Sequence, residues 1–179
     1  MKEIKIKDKV FEEYISAETI QNAVKEMAKK MNADLKDKDP LFVCIMNGSF
    51  MFASDLMQQL DEFYEVAFAR YSSYSGTEST YKLKEVMPVT QSLEGRIVVI
   101  LEDLIDSGFT MMHVKKHFYD LGAKEVLIAT MLDKPAARKC PVEADYVGIS
   151  IANDFIVGHG LDYDDYGRMY NDIYKIKLS

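Results

Sequence analysis

Basic residues, cysteines and prolines are all scarce in this 179-residue chain, and each scarcity closes off a class of protein. Lys and Arg total 22 against 29 Asp and Glu, a net charge of −7, so no basic surface is available for non-specific binding to nucleic acid or acidic membranes. An anionic ligand would have to be caught by a few local groups. Two cysteines, Cys44 and Cys140, make neither a disulfide framework nor a zinc pattern, and both read as free thiols. Four prolines, with no linker, repeat or low-complexity tract, imply one domain over residues 1–179. No apolar run is long enough to cross a bilayer, and the start MKEIKIKDKVFEEY lacks the apolar region of a signal peptide, so a cytoplasmic protein is expected.

What is present is organised around Ile97 to Met112, IVVILEDLIDSGFTMM. The block Ile97-Val98-Val99-Ile100-Leu101 is continuously apolar and β-branched, the signature of a strand buried on both faces of a parallel sheet. Glu102, Asp103, Asp106, Ser107, Gly108 and Thr110 follow at once, and then a helical spacing, Val114, Phe118 and Leu121, that stops at Gly122. The polar group is thereby placed at a strand's carboxyl end and a helix's amino end, where backbone N–H groups and the helix dipole favour an anion and Gly108 allows close approach. Three neighbouring carboxylates would repel a phosphate unless they face hydroxyls, a metal or a proton, so the arrangement suggests a ligand that is both phosphate and polyol. The same string is also compatible with a plain βα turn in which Asp and Ser cap a helix.

The remaining chain repeats this grammar. Ser16 and Glu18 open a helix with Ile20, Val24, Met27 and Met31 on one face. Asp39-Pro40 introduces the apolar strand Leu41 to Met46, then Asn47-Gly48-Ser49 and a helix bearing Phe52, Leu56 and Leu60. Two strand–Gly turn–helix units in succession predict a βαβ sheet with both turns at one carboxyl edge, where open α/β sheets bind ligands. Glu65–Tyr71 and Tyr81–Val86 alternate as a hairpin-like pair around the polar connection Ser72–Thr80, which reads as a flexible link or as a lid. Glu125–Leu132 is another buried strand, and shorter strands are expected at Tyr146–Ile151, Phe155–Val157 and Ile173–Ile176.

Three other constellations fail on their chemistry. His113 and His117 have metal-ligand spacing, but Val114 stands where a zinc protease needs Glu, and both can lie on a solvated helix face. Asp162-x-Asp164 with Gly167 starts like a calcium loop, but positions five and twelve are Tyr166 and Ile173. A single carboxylate facing a magnesium ion held mostly by phosphates remains open there. Gly158-His159-Gly160 is no dinucleotide fingerprint, because no first strand and helix flank it.

The pattern E-D-x-x-D-[ST]-G-x-T after an apolar strand resembles the 5-phosphoribosyl 1-diphosphate (PRPP) motif of the type I phosphoribosyltransferases, and from about Ile15 to Ile176 the motif order resembles the hypoxanthine(-guanine) phosphoribosyltransferases. Met46-Asn47-Gly48-Ser49-Phe50 is similar to the family turn that binds pyrophosphate through its backbone and often contains a non-proline cis peptide. Asn47 stands where many members carry Lys, which removes a cation but keeps the N–H groups. Ser73-Tyr74 resembles the pair in the family's mobile catalytic loop. The resemblance implies that Glu102 and Asp103 meet the ribose hydroxyls and face a metal, and that Asp106, Ser107, Gly108, Phe109 and Thr110 cradle the 5′-phosphate. It also implies that Lys134, Phe155 and Ile156 bind the purine, that Asp162 faces magnesium beside the base, and that Arg168 grips pyrophosphate. Each role has chemical sense: a purine needs an aromatic face and a donor to its carbonyl, and pyrophosphate needs Arg, backbone N–H groups and a hard cation.

The expected fold is therefore α/β, a mostly parallel central sheet flanked by helices, with a small hood from the N-terminal segment and roughly residues 151–179. The expected reaction moves the phosphoribosyl group from PRPP to N9 of hypoxanthine, with guanine as a further substrate, Mg2+ as cofactor, Asp106 as general base at purine N7, and a homodimer or homotetramer as the assembly. Two other readings stay open: a PRPP-sensing regulatory protein, and a transferase for xanthine or a pyrimidine, since Lys134 selects an oxygen at C6 but leaves C2 unread.

Overall fold

The computed structural model describes residues 2–74 and 82–177. In chain order the elements are β1 Glu3–Ile6, β2 Lys9–Ile15, α1 Ala17–Asp34, β3 Leu41–Met46, α2 Phe50–Met57, β4 Glu65–Tyr74, β5 Lys82–Met87, β6 Ile97–Ile105, α3 Phe109–Asp120, β7 Glu125–Asp133, β8 Tyr146–Ser150, β9 Ile156–Val157 and β10 Ile173–Ile176. Among the described residues the strands form two sheets. The larger has the order β5-β4-β3-β6-β7-β8, with β5 antiparallel to β4 and every other neighbour parallel.

Why β3 and the Ile97–Leu101 part of β6 are apolar throughout follows from what covers them. Leu41, Val43 and Ile45 of β3 and Val98 and Ile100 of β6 pack with Met111, Val114 and Phe118 of α3 on one face. Phe42 and Cys44, with Val99 and Leu101, pack on the other face against Ile20, Val24 and Met31 of α1 and Phe52 and Leu56 of α2. Each such fully buried side chain contributes about 1.5–3 kcal/mol, so neither face of these strands could be polar without large cost. Ser16 caps α1 as expected, its Oγ accepting from the Thr19 N–H at 3.2 Å.

Some boundaries differ from the sequence reading. Strand β6 runs on through Glu102 and Asp103 to Ile105, because β7 continues to pair with it as far as Ile105 with Asp133, whereas its ladder with β3 ends at Leu101 with Cys44. Helix α2 stops at Met57, so Leu60 lies beyond it. Helix α3 stops at Asp120, and Leu121 is an exposed cap residue instead of a core one, because the chain turns at Gly122 and the Ala123 N–H reaches back to Phe118. His113 and His117 are half-buried, the first 2.7 Å from the Phe109 carbonyl and the second 3.4 Å from Glu85, so the α3 face they occupy is packed and not simply solvated.

The smaller sheet is antiparallel, in the order β1-β2-β10-β9, with strands from both ends of the chain around Ile6, Phe11, Val157 and Tyr174. No helix among the described residues is long and apolar enough to cross a membrane.

Candidate active site

From β3 the chain moves to β4 on one side, and β6 lies on the other, so the gap between the tips of β3 and β6 is the point where strand order reverses. A cavity of about 280 Å³ opens there. Gly48 and Met46 line it from the turn after β3; Glu102, Asp103, Asp106, Ser107, Gly108 and Thr110 line it from β6 and the start of α3. The carbonyls of the second turn are held from behind. Arg138 Nη1 donates to the Asp106 carbonyl at 2.9 Å, and the Lys139 N–H donates to the Ser107 carbonyl at 2.9 Å. Arg138 also ion-pairs with Asp133, so it ties the tip of β7 to the back of this loop. With the carbonyl side anchored, Ser107, Gly108 and Thr110 present their other side to the cavity at the mouth of α3, a geometry suited to a phosphate.

Opposite lies the turn after β3. Its Met46–Asn47 peptide is cis. A methyl group at Gly48 would sit 1.7 Å from Asp103 Oδ2, so any larger residue here would force the Asp103 carboxylate to move. Asn47 itself is exposed and does not line the cavity.

Glu102 is buried and Asp103 half-buried beside it. Burial, and then the Asp103 charge, holds the Glu102 carboxyl well above the ordinary carboxylate range. Asp103 is also raised by burial, but a hydrogen bond from Glu102, the Leu104 N–H at 2.8 Å and the charge of Arg168 pull the other way. Glu102 is therefore the more strongly raised of the two, and the pair resists carrying both charges at once. Such a pair offers hard oxygen atoms, one of them on a buried side chain, suited to hydroxyl donors or a cation. Asp106 is the exposed member of the group, and the buried Lys134 reaches to within 3.5 Å of it.

The other expected residues do not line the cavity. Asp162 is paired with Arg168 at 2.8 Å and accepts from the Asp165 N–H at 2.7 Å. Arg168 Nη1 donates to the Gly160 carbonyl at 2.8 Å. Ile156 is buried in β9, while Phe155 is 47% exposed and leans on Phe11 and, edge-on, Tyr163. Phe109 is the first residue of α3 and half-buried. Ser73 and Tyr74 end β4 in register with Leu83 and Lys82 of β5, and the expected lid between the strands falls mostly on residues 75–81, outside those described. Sequence reasoning missed Tyr71, which lines the cavity from β4, and the anchoring Arg138. Tyr71 sat unremarked in an alternating strand, and Arg138 lies in an irregular stretch that matches no motif.

Comparison with known proteins follows the same lines. The profile of the phosphoribosyl transferase domain matches residues 12–164, and the chain belongs to that family. Within it, two relatives named hypoxanthine-guanine phosphoribosyltransferase match most of the chain. The one from Bacillus subtilis (strain 168) is 39% identical over 150 residues, 83% of each chain; that of Streptococcus thermophilus (strain CNRZ 1066) is 40% identical over 151 residues, 84% of each. The crystal structure of a hypoxanthine-guanine phosphoribosyltransferase from Bacillus anthracis superposes with a TM-score of 0.89 at 35% identity, covering 93% of this chain and 98% of that one. A bifunctional protein TilS/HprT of Listeria innocua is 39% identical over 150 residues, and the chain spans 23% of that relative's length.

Proposed function

We propose that the protein is a purine-salvage enzyme that transfers the 5-phosphoribosyl group of PRPP to N9 of hypoxanthine or guanine, giving IMP or GMP and pyrophosphate. The observation that carries this reading is the cavity at the strand-order reversal, with a backbone turn on one wall and a carboxylate-to-phosphate-cradle run on the other. Asp106–Thr110 holds the 5′-phosphate through backbone N–H groups and hydroxyls. Glu102 and Asp103 accept from the ribose hydroxyls. The Gly48 turn and Arg168 take the pyrophosphate. Lys134 donates to the oxygen at purine C6, Phe155 stacks on the base, and the Ile156 backbone reads its edge near C2. Asp106 is within reach of Lys134 and exposed to the cavity, so it can take the proton from N7 as N9 attacks C1′. Positive charge developing on the sugar is stabilised by the carboxyl groups beside it and the departing phosphates.

No group of three or more His, Cys, Asp or Glu among the described residues is placed to cage a metal. Two adjacent carboxylates, with Asp162 nearby on Arg168, suit instead a magnesium ion brought in largely by the pyrophosphoryl oxygens, with Glu102, Asp103 and Asp162 facing it. When bound, magnesium supplies charge neutralisation of the leaving pyrophosphate. The same reading has residues 1–179 acting as one domain hooded by the smaller sheet, in the cytoplasm, as a homodimer or homotetramer. The free thiols of Cys44 and Cys140 suit a reducing compartment, and Phe50 and Phe68, both exposed, suit a self-contact. Pyrophosphate release with PRPP and magnesium, measured with hypoxanthine, guanine, xanthine, adenine and uracil in turn, tests the assignment. Release with the first two is expected; release indifferent to the base, or confined to adenine or uracil, overturns it.

A further inference from the structure

Between β9 and the acidic segment that follows lies Gly158-His159-Gly160, a stretch for which the reaction above has no use. His159 is 3% exposed and adopts a positive φ of 47°. Its backbone N–H donates to the Tyr170 carbonyl at 2.7 Å, and its Nε2 lies 3.0 Å from Asp55 Oδ2, so Nε2–H donates to the carboxylate. That oxygen also accepts from Gln21 Nε2 at 2.5 Å. The imidazole of the smaller sheet's loop is thus plugged into α2, and α1 braces the carboxylate that receives it.

The neighbours of this joint give it a consequence. Helix α2 begins directly after the Gly48 turn, so Asp55 and Gly48 ride on one short rigid piece, closed at its start by Ser49 Oγ donating to the Ile45 carbonyl at 2.7 Å. On the other side, the residue next to His159 is Gly160, which packs so tightly that a methyl group there would sit 1.9 Å from the Gly48 carbonyl oxygen. Gly160 in turn fixes Arg168 twice, its N–H donating to the Arg168 carbonyl at 2.9 Å and its carbonyl accepting from Arg168 Nη1 at 2.8 Å. The His159–Asp55 contact is therefore the polar link that ties the Gly160 loop, and with it Arg168, to the helix that carries the Gly48 turn.

We infer that His159, through Asp55, is a positioning residue that sets the spacing between the Gly48 turn and Arg168 and so assembles the pyrophosphate half of the site. The inference rests on the reading of Gly48 and Arg168 as pyrophosphate ligands. It separates the two halves of the substrate: Phe155 is steadied by Phe11 and Tyr163, and the phosphate cradle by Arg138, neither of which passes through His159.

The test is to measure Michaelis constants for PRPP and hypoxanthine in the forward direction and for pyrophosphate and IMP in reverse, in the wild type, His159→Ala, His159→Gln, Asp55→Asn and the Ala/Asn double variant. For His159→Ala, the constants for PRPP and pyrophosphate should rise by on the order of tenfold while those for hypoxanthine and IMP stay within about twofold, because a misplaced binding group penalises only what it touches. His159→Gln, whose amide N–H reaches the same carboxylate, should recover most of the loss, and the double variant should be no worse than the worse single one. If His159→Ala does not fold, Asp55→Asn carries the same expected split. Four constants that move together, or a pyrophosphate constant that does not move, overturn the inference and leave His159 a core histidine. A wild-type protein without pyrophosphate-dependent reversal overturns the underlying reading as well, which a wild type with reversal but no split does not.

Discussion

The turn after β3 and the turn after β6 leave the same edge of the same sheet, each from an apolar strand and each into a helix, yet they carry chemistry in different ways. The β6 turn works through side chains: Glu102, Asp103 and Asp106 supply oxygen atoms, and Ser107 and Thr110 hydroxyls. The β3 turn has almost no chemistry of its own. It contributes a cis peptide and a glycine that comes up against Asp103, and it borrows charge from Arg168, about 120 residues further along the chain. One turn is a motif; the other is a shape that needs a partner from the second sheet.

The contrast predicts where each turn breaks. Asp106→Asn removes the proposed base of the side-chain turn and should lower kcat by about 10²–10⁴-fold with PRPP still binding, read by single-turnover kinetics. Unchanged turnover would strip that turn of its catalytic part. Gly48→Ala attacks the other turn without removing any polar atom, because the new methyl group collides with Asp103; kcat/KM for PRPP should fall on the order of 10²-fold. An active Gly48→Ala enzyme would mean that close approach is irrelevant. Lys134→Met, outside both turns, should raise the hypoxanthine KM roughly 10- to 100-fold, as expected for losing a charged hydrogen bond, and leave the PRPP constant in place. Equal affinity for hypoxanthine and a purine without the C6 oxygen in the wild type would contradict that role.

The smallest effect is on stability. The folded-state pKa of Glu102 is raised by burial, so its contribution is intact below the unfolded value and is lost as pH rises through the folded one. Glu102→Gln should therefore melt higher than the wild type at neutral pH, with the gap closing as pH falls towards about 4, while PRPP binding weakens. A Tm difference that does not change with pH would mean that the carboxyl is not held protonated by its surroundings.

The two turns also differ in how far they could be read before folding. The β6 turn was legible because its residues are contiguous: apolar run, acidic pair, Asp-Ser-Gly and helix start all sit within the span Ile97 to Met112. Even there the strand end was misplaced, since pairing with β7 carries it past Glu102 and Asp103 to Ile105, and pairing partners are not written locally. The Gly48 turn was legible as a second strand–Gly turn–helix unit, but its pyrophosphate role only through its likeness to a known motif. Arg138 and Tyr71 went unseen because neither carries a local signature; each acquires its place from a neighbouring strand or loop.

Local sequence by itself determined the buried strands, the helices with the Ser16 cap of α1, and the order in which polar turns follow apolar runs, because hydrophobic periodicity and turn chemistry act over a few residues. Tertiary structure alone decided that β3 and β6 part after Leu101, that Gly160 meets Gly48, and that His159 reaches Asp55. These are contacts between segments far apart in the chain, and they exist only once both sheets have packed and the distance between their loops is set.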